Sequence, residues 1–296
     1  MTTRNSGRGA RLVLAAALLA CSGSRPRPAS GDLVFQVSGR VESGPHKFGK
    51  DDLAKLPRRS FEAVAPQGGP KAKFEGVALV EIFSREVEVM RDVDIALVHG
   101  RGGLAVAVPV AALRQLRPIL ADRVDGAPIS AWRADAGTLL LAWPNQEQPG
   151  IDTDPRMRWW WVPGVVKIEM VSWLPTYGRA LRVPAGASDE ARLGAEVVQG
   201  SCLNCHKVRG IGGTRGAKLD DEAVAKDPGS FSSRMRDHLA KTSGMPAAPQ
   251  VTPTQARDVA AFLRAVEIAG QGRPDEEIKE APPLPPPGRP PPTRGY

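Results

Sequence analysis

The sequence predicts a β-rich α+β domain followed by an all-α domain. Three observations carry this expectation. Short apolar segments bounded by turn residues run from Asp32 to about Tyr177, and all six tryptophans fall between Trp132 and Trp173. That aromatic texture stops at "LRVPAGA", Leu181 to Ala187. Beyond it, two segments with helical spacing and N-terminal caps flank the sequence Ser201-Cys202-Leu203-Asn204-Cys205-His206-Lys207.

In chain order, Leu33, Phe35 and Val37 occupy every second position, as the buried face of a strand does, although Val34 blurs the alternation. Asp51 to Leu56 predicts a short helical turn stopped by Pro57. Val77 to Phe83 supports a helix, and Ile95–His99 and Leu104–Val108 read as strands. Asp125-Gly126 between two apolar runs is a hairpin signal. Thr138–Trp143 and Val165–Trp173 complete the strands, and the large indole rings are suited to filling a β-rich core. Ser188 can cap a helix whose first turn holds Asp189 and Glu190, with Leu193 and Val197 on one face and Gly200 at its end. Thr252-Pro253-Thr254-Gln255 is a capping box with proline at the first helical position. The stripe Val259, Phe262, Leu263, Val266 follows, closed by Gly270. The proline-rich residues 271–296 cannot build a core and are expected to be extended and disordered.

The formal charge of +8 does not describe a nucleic-acid binder. Arg4, Arg8, Arg11, Arg25 and Arg27 precede the first acid, Asp32, so the excess lies mainly in a leader and not on a folded face. Three of these arginines precede the apolar run Leu12 to Ala20, which is too short to span a bilayer. The run ends in Leu18-Leu19-Ala20-Cys21, which resembles a bacterial lipobox with Leu19 where a small residue is usual. The resemblance implies export, lipidation of Cys21 and a polar tether to residue 31; an ordinary cleaved signal is the alternative.

The chain has three cysteines, and two of them form Cys202-Leu203-Asn204-Cys205. A structural zinc site needs four ligands, and His46, His99 and His238 form no second cluster in the sequence. A redox dithiol is expected beside a βαβ pattern, and no strand precedes these cysteines. Haem attachment fits better: thiols three residues apart share one side of a helical turn, and His206 follows to present its ring to iron. One haem needs a second axial ligand. Met245 sits between Gly244 and Pro246 in a loop, whereas Met235 and His238 share a helical face with Phe231 and Leu239. The loop methionine is the preferred ligand, and the helical face is suited to packing.

From about Gly186 to Val266 the chain resembles a class I cytochrome c domain. The resemblance rests on the helix leading into Cys202–His206, Gly212-Gly213, Gly244-Met245-Pro246 and "TPTQARDVAAFLRAV". It implies electron transfer, with Cys202 and Cys205 at the thioether positions of one haem c and His206 and Met245 as iron ligands.

Asp32 to Trp173 resembles, in scattered spacing and texture, the molybdopterin-binding domain of the sulfite oxidase family, through "LVFQVSGRVESG", "KDDLAKLP", "FEGVALVEIF", "ILADRVDGAPIS" and "WWWVPGVVKIEMV". Active members hold molybdenum through a cysteine thiolate, and no cysteine lies between Cys21 and Cys202. Lys71, Lys73, Arg133, Arg156 and Arg158 are scattered bases of the kind that form a solvated face. The expectation is therefore a scaffold or docking domain. The expected organisation is a signal at 1–20, tether 21–31, front domain 32–178, linker 179–186, cytochrome c domain 187–270 and a tail. The expected protein is a periplasmic electron carrier, lipid-anchored to the outer membrane, with redox proteins as partners and no nucleic acid. The alternative is a molybdopterin-dependent oxidoreductase with a built-in haem c acceptor.

Overall fold

The computed structural model describes residues 32–66, 69–148, 151, 157–178, 180–219, 233 and 252–271. Cys21, Met235, His238 and Met245, and with them the expected lipid anchor and the expected second iron ligand, lie outside the described residues. No helix among the described residues is long and apolar enough to cross a membrane.

Two sheets build the front domain. The first runs β2 (His46–Gly49), β1 (Leu33–Gly39), β10 (Val165–Val171), β5 (Ile95–Gly100), β6 (Ala105–Pro109). The first and last of the domain's strands, β1 and β10, are parallel neighbours, with Gln36 opposite Lys167 and Gly39 opposite Met170. The second sheet runs β3 (Arg58–Ala63), β4 (Ala72–Ala78), β7 (Ile119–Val124), β8 (Ala127–Pro128), with β9 (Leu140–Ala142) also paired to β7. Asp125 and Gly126 join β7 to β8 with φ of 48° and 78°, the left-handed pair that a two-residue hairpin uses.

The helix expected from Val77 begins two residues later, as α2 (Leu79–Arg85). Val77 and Ala78 are held in β4 by pairing with Leu120 and Ile119, so sheet pairing overrides the local helical spacing there. The tryptophans fill the space under the sheets: Trp143, Trp159, Trp160 and Trp161 are buried, and Trp143 Nε1 donates to the Trp160 carbonyl at 2.8 Å. Phe74 meets Trp161 edge-on at 5.3 Å between centroids. Lys71 and Lys73 are ion-paired with Glu62 and Glu75, as solvated surface bases are.

The first sheet uses both of its faces. Phe35, Val37, Val98, Ile168 and Met170 point into the tryptophan core. The alternate residues Ile95, Leu97 and Val171 point the other way, into a second core with Leu181, Val183, Ala195 and Phe262. That core belongs to the helical domain, so residues 180–183 are packed in it and not merely spanning a gap. Val34 spoils a clean alternation because it packs with the first core at an irregular point of the β1–β2 pairing, between Leu33 and Phe35.

In the helical domain, α6 (Asp189–Gly200) starts at Ser188, whose hydroxyl accepts from Ala191 N at 3.3 Å. The last helix, which we label α7 (Pro253–Gln271), starts with the expected reciprocal box: Thr252 N donates to Gln255 Oε1 at 2.9 Å, and Gln255 N to Thr252 Oγ1 at 3.2 Å. It runs on through Gly270, because one glycine costs a helix only about 1 kcal/mol. The buried face of α6 is Ala191, Gly194, Ala195 and Val198, and not Leu193 and Val197, which are half-buried. The cause is the crossing with α7. A Cβ on Gly194 would stand 1.9 Å from the Asp258 carbonyl oxygen, so the helices touch backbone to backbone there.

Candidate functional site

Helix α6 ends at Gly200, and the chain tightens at once into a 3₁₀ turn, Cys202–Asn204. Cys205 N and His206 N both donate to the Cys202 carbonyl, at 3.1 and 2.9 Å. Residues i and i+3 of such a turn eclipse each other, so the two cysteines stand on one side of it. They are not joined in a disulfide. Leu203 anchors the turn in the second core, and Cys205 packs against the front domain's core.

His206 Nδ1 lies 2.7 Å from the Ala217 carbonyl oxygen. A neutral imidazole that donates from Nδ1 carries its lone pair on Nε2, and such a bond fixes the ring's tautomer and orientation. The loop that makes this bond is pinned at several points. Gly216 N donates to Cys205 O and Gly213 N to Leu203 O, each at 2.8 Å. Gly216 lies under the ring itself: a Cβ there would come within 2.2 Å of His206 Cε1. Between the motif and this loop, Lys207–Val208 (β11) and Ile211–Gly212 (β12) form a small hairpin. Thr214 N then donates to Gly103 O at 2.8 Å, which ties the loop to the β5–β6 turn of the front domain.

Surrounding protein pushes the Cys202 thiol up to about 12, with the neighbouring Cys205 adding to it. Burial also raises Cys205, against the opposing influence of Arg215. Thiols of this kind are protonated at neutral pH, unlike the lowered, thiolate-forming pair of a disulfide oxidoreductase. No group of three or more His, Cys, Asp or Glu that could hold a metal ion exists among the described residues, so the zinc reading finds no support there. The residues do fit a covalently held haem: two thiols on one side of a turn, and a histidine oriented by a backbone acceptor.

The sequence points to Cys202, Cys205 and His206, and the structure brings all three together. It adds Ala217 and Gly216, which sequence alone does not single out, because a backbone acceptor carries no residue-type signal and Gly216 is one glycine among several in "GIGGTRG".

The arrangement defines a cytochrome c domain. Residues 189–263 match the family model described as cytochrome c oxidase, cbb3-type, subunit III. The domain implies a haem c cofactor and haem-based electron transfer, with redox proteins as partners. No curated protein matches the chain. Among solved structures, the chain is similar to the sulfane dehydrogenase SoxCD from Paracoccus pantotrophus, at 17% identity and a TM-score of 0.36. That similarity covers 47% of this chain and 38% of that one.

Proposed function

We propose that the protein is an exported, lipid-anchored c-type cytochrome that carries electrons through one haem, and that its front domain is a scaffold for the haem-bearing domain. The observation that carries the proposal is the 3₁₀ turn with two cysteines on one side, followed by His206 with Nδ1 2.7 Å from the Ala217 carbonyl. Bound haem would supply one-electron exchange at its iron. Cys202 and Cys205 would hold it covalently, His206 would ligate it through Nε2, and Met245 would complete the ligand set from its Gly/Pro-bounded loop. The scaffold role is supported by the second core, which α6 and α7 share with Ile95 and Val171 of the first sheet. Export, the periplasm and an outer-membrane anchor at Cys21 follow from the leader alone.

The test is acid–acetone extraction and metal analysis of protein matured in a host that attaches haem c. Haem should stay with the polypeptide, iron should be present at about one per chain, and Cys202→Ala should weaken attachment. Complete extraction of haem from the wild type would sink the proposal. Stoichiometric molybdenum would replace it with the alternative, a molybdopterin oxidoreductase with a built-in haem acceptor.

A further inference from the structure

The helical domain covers only part of the outer face of the first sheet. Along β10 and β5 the outward residues change from apolar to polar. Val171 and Ile95 lie in the shared core, Glu169 pairs with Leu97 in register, and Lys167 pairs with His99. Beside them on β1, Gln36 is opposite Lys167. The polar end stays open as the floor of a cleft of about 820 Å³, whose other wall is the chain at Lys207 and Gly210–Thr214. None of the residues from Cys202 to His206 lines it.

The floor is organised around one carboxylate. His99 Nε2 donates to Glu169 Oε2 at 3.1 Å, and Lys167 Nζ donates to the same oxygen at 2.7 Å. These side chains are only 24 to 34% exposed. Those two donors, His99 first, hold the Glu169 carboxyl at about 2. Glu169 is the cleft's one acid among the described residues, against Lys167, Lys207 and Arg101. The cleft therefore keeps an excess of positive charge after its acid is satisfied. Leu97, Ile211 and the buried Tyr177 add apolar lining. An open cleft between two domains that combines apolar lining with cationic side chains has the features of a small-molecule site.

We propose that this cleft binds a small organic carboxylate, with its apolar body against Leu97 and Ile211 and its charged head at Lys167 and Lys207. Glu169 sets the affinity from below: it engages the donors that the ligand's head must share. Binding there is independent of the haem reading, because the cleft and the haem motif use different residues.

Calorimetric titration of the full-length, haem-loaded protein with benzoate tests this, with benzamide as a neutral control of the same shape. Benzoate should bind saturably at one site and benzamide should not. Lys167→Met should weaken benzoate about tenfold, since it removes a charge-assisted donor and leaves Glu169 to repel the anion. Glu169→Gln should do the opposite and tighten binding severalfold. A merely structural ion pair predicts no opposite-signed pair of effects. An unchanged far-ultraviolet circular dichroism spectrum and a cooperative thermal melt show that each variant is folded. The proposal is overturned if neither wild type nor Glu169→Gln binds benzoate at concentrations up to about 50 mM, a range that reaches even very weak sites. It is equally overturned if benzamide binds as well, or if the two variants behave as wild type.

Discussion

His206 and Met245 each make a distinct prediction. Below the ring, Gly216 leaves the space that a Cβ would fill at 2.2 Å from Cε1. A ring held by its bond to Ala217 and, under the proposed function, by iron cannot swing aside cheaply, so Gly216→Ala should tilt it or break the Nδ1 bond. The expected outcome is lower haem retention or a changed absorption spectrum, with the secondary structure seen by circular dichroism intact. An unchanged spectrum and potential would show that the loop yields instead. Met245 is the second ligand proposed from sequence. A thioether favours reduced iron, so Met245→Ala should lower the potential and abolish the far-red sulfur-to-iron band of the oxidised protein. His238→Ala should leave that band in place; the reverse pattern would reassign the ligand. At this scale the grouping of Cys202, Cys205 and His206 is legible in the sequence, because it depends on residue type and spacing. Its support is not, since the Ala217 acceptor is a backbone carbonyl any residue could offer.

At the scale of elements, starts were easier to read than faces. Ser188 and the Thr252–Gln255 box announce α6 and α7, because capping is local chemistry between a few side-chain and backbone atoms. The buried face of α6 is not legible locally, because it is set by a partner more than 50 residues away. Gly194 looks like a weak helix former in isolation, and only the Asp258 backbone shows why it is there. Gly194→Ala, which raises intrinsic helix propensity, should therefore destabilise the protein, by about 1–3 kcal/mol as overpacking does. Thermal melts checked against Arg192→Ala, an exposed site on the same helix, would reveal it; a raised melting temperature for Gly194→Ala would refute the crossing. Val77 and Ala78 show the same lesson in the sheet, since long-range pairing with β7 decides a segment whose own spacing favours helix.

At the scale of the molecule, two domains share one sheet, and a buffered carboxylate sits where they part. Glu169 is held at about 2 against an ordinary 4.5, chiefly by His99 and then by Lys167. A carboxyl lowered on folding stabilises the folded state fully above its unfolded value, and that contribution is lost as pH falls from about 4.5 towards 2. Because the side chain is a third exposed, solvent screening reduces the effect to about 1 kcal/mol. Denaturant titrations should show wild type losing more stability over this range than Glu169→Gln, and parallel curves would count against the ion pair. Sequence could not foresee this cluster: Lys167 and Glu169 are adjacent in pattern, but His99 joins them only through the β5–β10 register.

The parallel pairing of β1 with β10 also has a mechanical consequence. The chain enters the front domain at the start of β1 and leaves for the helical domain after the end of β10, at the opposite end of the same strand pair. A pull at Asp32, resisted at the second core near Val171, is directed along both strands and not across them. Under that load the β1–β10 hydrogen bonds must shear together, where a peeling geometry would open them one at a time. A chain pulled from Asp32 against a held helical domain would load this seam in shear.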